Sequence, residues 1–148
     1  MSEVDLPSPE MRQTTDFNAM RELALRSGLE DGSFDNYIVA YGYYVGPDLV
    51  ACAALRPRDG VLTVESLAVS DAYRGKGLGR SLVSAIEREA RKRGAAEVWA
   101  IARAPEFFER IGYSRVEPGH SRGPSLKGCE SCQQFRRNCD PAVVRKTL

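Results

Sequence analysis

A glycine-rich turn between a strand-like segment and an amphipathic helix most constrains how this chain folds. The segment Val61–Val69 is rich in β-branched and apolar residues, and the run Arg-Gly-Lys-Gly-Leu-Gly follows it at 74–79. Apolar residues then recur every four positions over residues 77–93, which predicts the longest helix of the chain. A strand that leads through a turn into a helix predicts a β-α-β unit at the centre of an α+β fold.

The turn at 74–79 has the chemistry of an anion-binding site. N–H groups in the first turn of a helix lack partners within that helix, and they carry the positive end of its dipole. Glycine lets the backbone approach a phosphate oxygen closely, while Arg74, Lys76 and Arg80 add positive charge. The glycine spacing fits neither a P-loop nor the dinucleotide-binding fingerprint. A diphosphate can bind at such a turn, and a plain glycine turn is the alternative.

The rest of the pattern predicts a single domain with strands on both sides of this unit. We expect a flexible tail at 1–10 and one domain over 11–148, which includes a cysteine-bearing segment at 118–148. The strands before the turn should form an antiparallel meander. Predicted strands lie at 11–14, 37–45, 49–55, 61–69, 98–102, 113–116 and 142–148, and predicted helices lie at 16–27, 77–93 and 105–111.

Composition and charge argue against several kinds of partner. Of the 148 residues, 43% are hydrophobic and 28% are charged, and the formal net charge is +1. This balance gives no reason to expect nucleic acid as a partner. No apolar run is long enough to span a membrane, and the acidic, proline-containing start is unlike an export signal. We therefore expect a cytoplasmic protein with no nucleic-acid or membrane partner, and a homodimer is left open.

The spacing of Arg74, Gly77 and Gly79 resembles the Arg/Gln-x-x-Gly-x-Gly/Ala signature of the GNAT acetyltransferase superfamily. Residues 67–69 and 105–113 are similar to that superfamily's cofactor strand and second cofactor-contacting helix, in the same order. The resemblance implies a mixed central sheet with flanking helices, acetyl-CoA as the co-substrate, a small-molecule amine as the acceptor, and no metal in catalysis. The cofactor contacts that it implies are Leu67, Ala68, Val69, Arg74, Gly75, Lys76, Gly77, Leu78, Gly79, Arg80 and Phe108.

The resemblance also implies where the chemistry occurs. The thioester is expected near Glu65, Ser66 and the strand at 98–102, where a neutral amine attacks its carbonyl carbon. An α-amino group with a pKa near 8 is about nine-tenths protonated at pH 7, so a base is useful. Glu65 is the predicted base, acting through a water, and a surface or substrate-binding role is the alternative. Many relatives carry a tyrosine acid where this chain has Phe108, which leaves water, Ser66 or Tyr113 to assist thiolate departure.

Three segments resemble short amino-acid acetyltransferases similar to N-acetylglutamate synthase. They are Ala-Cys-Ala-Ala-Leu at 51–55, Phe-Phe-Glu-Arg at 107–110, and the cysteine-bearing tail. This resemblance implies a small amino acid, glutamate first, as the acceptor. Arg56 is predicted to bind a substrate carboxylate, and Arg58 or Arg103 is available for a second one. The alternatives are another small amine, including a detoxification substrate, and a non-catalytic CoA-binding or metal-sensing module.

The tail carries a Cys-x-x-Cys pair and one further cysteine. Cys129, Cys132 and Cys139, together with His120, are a possible zinc set, which we keep as a minor alternative to packed or redox-active thiols. A second Cys-x-x-Cys pair is absent from the sequence, which weakens the metal interpretation. Cys52 lies inside a predicted strand, where a buried thiol in the core is expected.

Overall fold

The fold is a mixed β-sheet with helices packed on both faces. The computed structural model describes residues 6–28, 36–117, 123–124 and 142–148. Within these ranges the sheet has seven strands in the order β1-β2-β3-β4-β5-β7-β6. The elements are β1 (Glu10–Gln13), α1 (Phe17–Arg26), β2 (Val39–Val45), β3 (Asp48–Arg58), β4 (Val61–Val69), a 3₁₀ turn (Asp71–Tyr73), α2 (Leu78–Lys92), β5 (Glu97–Ala102), α3 (Pro105–Arg110), β6 (Ser114–Val116) and β7 (Ala142–Thr147).

The predicted α+β order is confirmed, including the antiparallel meander and the central β-α-β unit. Strands β1 to β4 pair with their sequence neighbours in antiparallel fashion, and β4 pairs with β5 in parallel across α2. Strand β7 lies between β5 and β6 and is antiparallel to both. Helix α1 starts where the sequence indicates, because the Asp16 side chain accepts a hydrogen bond from the Ala19 N–H at 3.0 Å.

Strand β3 is longer than predicted, because it continues through Pro57 to Arg58. Its pairing with β2 ends at Leu55, so among the described strands Pro57 has no ladder partner on the β2 side. A proline without an N–H is tolerated there because no ladder hydrogen bond is lost. The turn into β4 is then only Asp59-Gly60, and both residues have positive φ (52° and 83°), as a two-residue hairpin requires.

Two hydrophobic clusters cover the two faces of the sheet. The larger cluster packs α2 on one face, with Leu82, Val83, Ile86 and Ala90 of the helix almost fully buried. The smaller cluster packs α1 on the other face against alternate residues of β3, including Cys52 and Ala54. The two faces therefore differ, since α2 packs across β2 to β5 whereas α1 packs mainly on β3 and β4.

A buried ionic network fixes α2 to the C-terminal strands. Glu87 is only 5% exposed, yet its Oε2 accepts from the Tyr113 hydroxyl at 2.8 Å and its Oε1 lies 3.1 Å from Lys146 Nζ. Removing one partner of such a pair leaves a buried charge, which costs about 3–5 kcal/mol. The position of the helix along the sheet is therefore set by polar contacts as well as by apolar packing.

Candidate active site

A β-bulge in β4 opens the sheet between β4 and β5. Ala54 of β3 pairs with Glu65 of β4, and Cys52 pairs with Ala68. Between these two pairs, β4 has two residues, Ser66 and Leu67, where β3 has one. Ser66 has a φ of 59°, which is uncommon outside glycine and typical of a bulge that bends its strand. Parallel pairing with β5 is confined to residues 63–64 and 99–100. The two strands therefore diverge beyond Val64 and leave a cleft in the sheet.

The glycine-rich turn lies at the end of β4 and leads into α2. Gly75 and Gly77 have φ of 75° and 80°, and a Cβ on either would meet no atom of the described chain within 4 Å. These two glycines are needed for their backbone conformation, because the space around them is open. The N-cap of α2 is Gly77, which has no side chain to accept a hydrogen bond from the first amides of the helix. The first amides of α2 are therefore available to an anion.

Gly79 differs from the other two glycines of the turn. It has no positive φ, and a Cβ on it would lie 3.3 Å from Cζ and 3.4 Å from Cε1 of Phe107. Its small size therefore makes room for an aromatic ring from α3. We had expected all three glycines to serve the approach of phosphate oxygens. The structure gives Gly79 a packing role, which the sequence spacing alone does not reveal.

Phe107 and Phe108 occupy different environments. Phe108 is 6% exposed and packs edge-on against both Phe107 (centroids 5.2 Å apart) and Tyr113 (5.1 Å) in the core below α2. Phe107 is the ring that contacts the turn at Gly79. A contact between Phe108 and the cofactor stays a prediction. The sequence does not single out Phe107, and its one signal is the adjacent pair of aromatic residues at 107–108.

The Arg74 side chain folds back onto the residues that precede the turn, at the end of β4. Its Nε donates to the Val69 carbonyl at 3.2 Å and lies 3.3 Å from Asp71 Oδ1. The Arg74 side chain is more than half exposed, so its positive charge is accessible at the turn. Arg74 therefore stabilises the path of the chain between β4 and α2 and adds positive charge at the same place.

Tyr113 is not placed to assist thiolate departure. Its hydroxyl is buried and donates to Glu87. Burial, followed by the adjacent carboxylate, raises the pKa of Tyr113 well above its usual value. Its proton is held within the network under α2, which argues against the alternative that assigned an acid role to Tyr113.

Glu65 forms the centre of a charged cluster on the α1 side of the sheet. Its Oε1 lies 3.2 Å from Arg58 Nη1 and 3.5 Å from Arg56 Nη1, and its Oε2 lies 2.7 Å from Thr63 Oγ1. The three charged side chains are between 16% and 25% exposed. Among the described residues, two guanidinium groups thus face one carboxylate beside the cleft. The sequence predicted Glu65 and Arg56 separately, and the structure brings them together.

Ser66 is held by two neighbours on the same side of the sheet. Its Oγ lies 2.5 Å from the Tyr37 hydroxyl, and its carbonyl accepts a hydrogen bond from Cys52 Sγ at 3.3 Å. Burial raises the pKa of Tyr37 to about 12 and that of the Cys52 thiol to about 12. Both groups therefore stay protonated at neutral pH. Cys52 lies in the core as predicted, whereas nothing in the sequence pattern singled out Tyr37.

Arg103, a candidate for a second substrate carboxylate, contacts the end of α1. Its Nη1 donates to the carbonyl oxygen of Gly28, the residue with a φ of 82° that ends the helix. Arg58 lies with Glu65 and Arg56 instead. Of the two arginines proposed for a second carboxylate, Arg58 is therefore the one that shares a cluster with Arg56.

The possible zinc ligands Cys129, Cys132, Cys139 and His120 lie outside the described residues. Within the described ranges, no group of three or more His, Cys, Asp or Glu side chains is arranged to hold a metal ion. The same part of the chain contains no helix that is long and apolar enough to cross a membrane.

Comparisons with known proteins agree with this geometry. Residues 4–113 match the model of the acetyltransferase (GNAT) family. An uncharacterized N-acetyltransferase of Chlorobaculum tepidum is 31% identical over 105 residues, which are 71% of this chain and 67% of the relative. That extent of similarity covers the turn, the cleft and the charged cluster.

Two solved structures show the same fold at low identity. An N-acetylglutamate synthase from Neisseria gonorrhoeae, complexed with coenzyme A and N-acetyl-glutamate, has a TM-score of 0.73 and 21% identity; the match covers 97% of this chain and 36% of that one. A GNAT acetyltransferase from Staphylococcus aureus has a TM-score of 0.73 and 12% identity, with 95% and 99% coverage. The family uses acetyl-CoA as its co-substrate, in keeping with the uncapped helix and the cleft. The chain therefore belongs to the GNAT family and is an acyl-CoA-dependent N-acetyltransferase.

Proposed function

We propose that the chain transfers the acetyl group of acetyl-CoA to the α-amino group of a small amino acid, with glutamate as the first candidate. The observation that carries this proposal is the cluster in which Arg56 and Arg58 face the single carboxylate of Glu65. Arginine binds carboxylates through a planar fork of N–H donors, and such hydrogen bonds are among the strongest in proteins. Two arginines at one place beside the cleft therefore favour an acceptor that brings its own carboxylate.

The cofactor half of the site rests on the turn and the cleft. The diphosphate of acetyl-CoA would bind the amides of residues 75–80, with Lys76 and Arg80 neutralising its charge. The pantetheine arm would enter the cleft along residues 67–69, where β4 has left β5. This arrangement directs the thioester towards the bulge at Ser66 and the neighbouring carboxylate.

Glu65 is the proposed base for the amine. An α-amino group is mostly protonated at neutral pH and must lose a proton before it attacks. Each carboxylate oxygen of Glu65 already has a protein partner, but an ionised carboxylate has about four acceptor positions in all. A water bound to one of the remaining positions would carry the proton from the amine. Thr63 and Arg58 hold the carboxylate in place for this step.

A panel of matched amines tests the choice of acceptor. Thiol release from acetyl-CoA is measured with glutamate, with glutamine, which lacks the side-chain carboxylate, with 4-aminobutanoate, which lacks the α-carboxylate, and with butylamine, which lacks both. We expect kcat/KM to fall in the order glutamate, glutamine, 4-aminobutanoate. If amines without any carboxylate are acetylated as well as glutamate, the acceptor is another small amine and the amino-acid proposal is wrong.

A further inference from the structure

The bulge in β4 presents a serine hydroxyl whose surroundings prepare it to donate a hydrogen bond. Ser66 has a positive φ, and its carbonyl is already satisfied by Cys52 Sγ at 3.3 Å. Residues held in such a conformation are found where the surrounding structure enforces them, often at functional sites. The Oγ atom lies 2.5 Å from the Tyr37 hydroxyl. Backbone and side chain of Ser66 are thus both fixed from the α1 side of the sheet.

Either oxygen can be the donor in the bond between the two hydroxyl groups, and Tyr37 is in the protonated state that donation requires. Burial raises the pKa of Tyr37 to about 12, so the phenol keeps its proton throughout the neutral range. The ring is oriented by Phe17 at the start of α1, which meets it edge-on at 5.2 Å. When the phenol donates to Ser66 Oγ, the Ser66 proton is left to point elsewhere. A hydroxyl that accepts one hydrogen bond is also a better donor in the next.

A hydrogen-bond donor would stabilise the departing CoA thiolate, and two described groups that the sequence places near this step, Phe108 and Tyr113, do not supply one. Phe108 has no polar hydrogen, and the Tyr113 hydroxyl is held by Glu87. We propose that Tyr37 is a positioning residue, which donates to Ser66 Oγ so that the Ser66 hydroxyl donates a hydrogen bond to the sulfur of CoA. This inference rests on the proposed function, because it takes the thioester to lie beside Ser66.

The step balances without a further reactant. The amine nitrogen forms a bond to the acetyl carbon, and the carbon–sulfur bond breaks with its electron pair on sulfur. The amine proton leaves through the water bound by Glu65, and the thiolate takes its own proton from solvent after release. Ser66 and Tyr37 keep their protons, since they act as hydrogen-bond donors and not as acids.

Titration of bound CoA tests this inference without any acceptor. The thiolate absorbs in the ultraviolet, so the pKa of the CoA thiol can be measured in complexes with the wild type, Tyr37→Phe and Ser66→Ala. We expect the bound thiol to have a lower pKa in the wild type than in either variant. The double variant should match Ser66→Ala alone, because Tyr37 acts through Ser66. Equal pKa values in all four complexes would overturn the inference.

Turnover gives a second measurement, made with whichever amine the wild type acetylates fastest. Tyr37→Phe should lower kcat about fivefold, the usual effect of one lost hydrogen bond, and leave the KM for acetyl-CoA unchanged. Tyr41→Phe is the control, because Tyr41 packs against the α2-side cluster. Thermal melting and CoA affinity show whether each variant folds. If Tyr37→Phe weakens CoA binding but leaves kcat unchanged, the role is structural and the inference fails. A wild type that prefers an amine other than glutamate overturns only the proposed acceptor.

Discussion

The glycine-rich turn and the charged cluster on the α1 side of the sheet are built from different parts of the chain. The turn presents main-chain N–H groups, and its key residues are consecutive in the sequence. The cluster is made of side chains from β3 and β4, which meet because the hairpin at Asp59-Gly60 brings them into register. A site made of backbone tolerates changes in side chains but not in φ. A site made of side chains tolerates substitutions that alter strand propensity, but it does not tolerate the loss of a charged group.

The largest effect is expected from a change of backbone conformation in the turn. In Gly77→Val, a β-branched residue would have to adopt a φ of 80°, so the first amides of α2 should lose their alignment and CoA binding should be lost in calorimetry. Gly94→Val is the control, because Gly94 follows the other end of α2 with a φ of 81° and equally open surroundings. If both variants bind CoA like the wild type, the anion does not bind at this turn.

The next largest effect is expected at the carboxylate of the charged cluster. Glu65→Gln keeps the shape of the side chain but cannot accept a proton, so kcat should fall by roughly 100-fold or more. The loss should be greatest at low pH, where the neutral amine is scarce, and should shrink as pH rises past the pKa of the amine. Glu89→Gln is the control, because Glu89 in α2 is about as exposed as Glu65 and is also paired with an arginine, Arg93. A pH–rate profile identical to that of the wild type would remove Glu65 from the mechanism.

A loss of acceptor binding is expected when Arg56 is removed. Arg56→Ala should raise the KM for glutamate roughly 10- to 100-fold, the range for hydrogen bonds to charged groups, and leave the Kd of acetyl-CoA unchanged. Arg12→Ala, on the edge strand β1, should change neither constant. An equal rise in KM for glutamate and for 4-aminobutanoate would show that Arg56 does not bind the α-carboxylate.

The smallest effect is expected at Gly79, where the backbone of the turn contacts a side chain, the ring of Phe107. The added methyl group of Gly79→Ala would crowd Phe107, and a several-fold loss of CoA affinity should follow as α3 shifts, in line with the roughly 1–3 kcal/mol cost of overpacking. Phe107→Leu in the same background should restore the affinity. If the double variant remains as weak as Gly79→Ala, then Gly79 serves phosphate approach instead of packing.

The contrast also explains what the sequence predicts well. The turn, the helix after it and the order of strands follow from local pattern, because backbone conformation and periodicity are properties of neighbouring residues. The path of β3 through Pro57 was missed, since proline is a strand breaker unless the strand beside it has ended. Tyr37 and Phe107 were also missed. Each acts through a residue far away in sequence, Ser66 or Gly79, and a single sequence contains no record of such contacts.

The place of β7 in the sheet has a consequence for the order in which the molecule is assembled. Strand β6 pairs only with β7 among the described strands, and β7 lies between β6 and β5. During synthesis, β5, α3 and β6 therefore leave the ribosome before β7, the strand that pairs with both β5 and β6. Until residues 142–147 emerge, Lys146 cannot reach Glu87, and the helix that begins at the turn keeps an uncompensated carboxylate on its inner side. Contacts between segments so distant in sequence are slow to form, so closure of the sheet at β7 is the expected late step of folding.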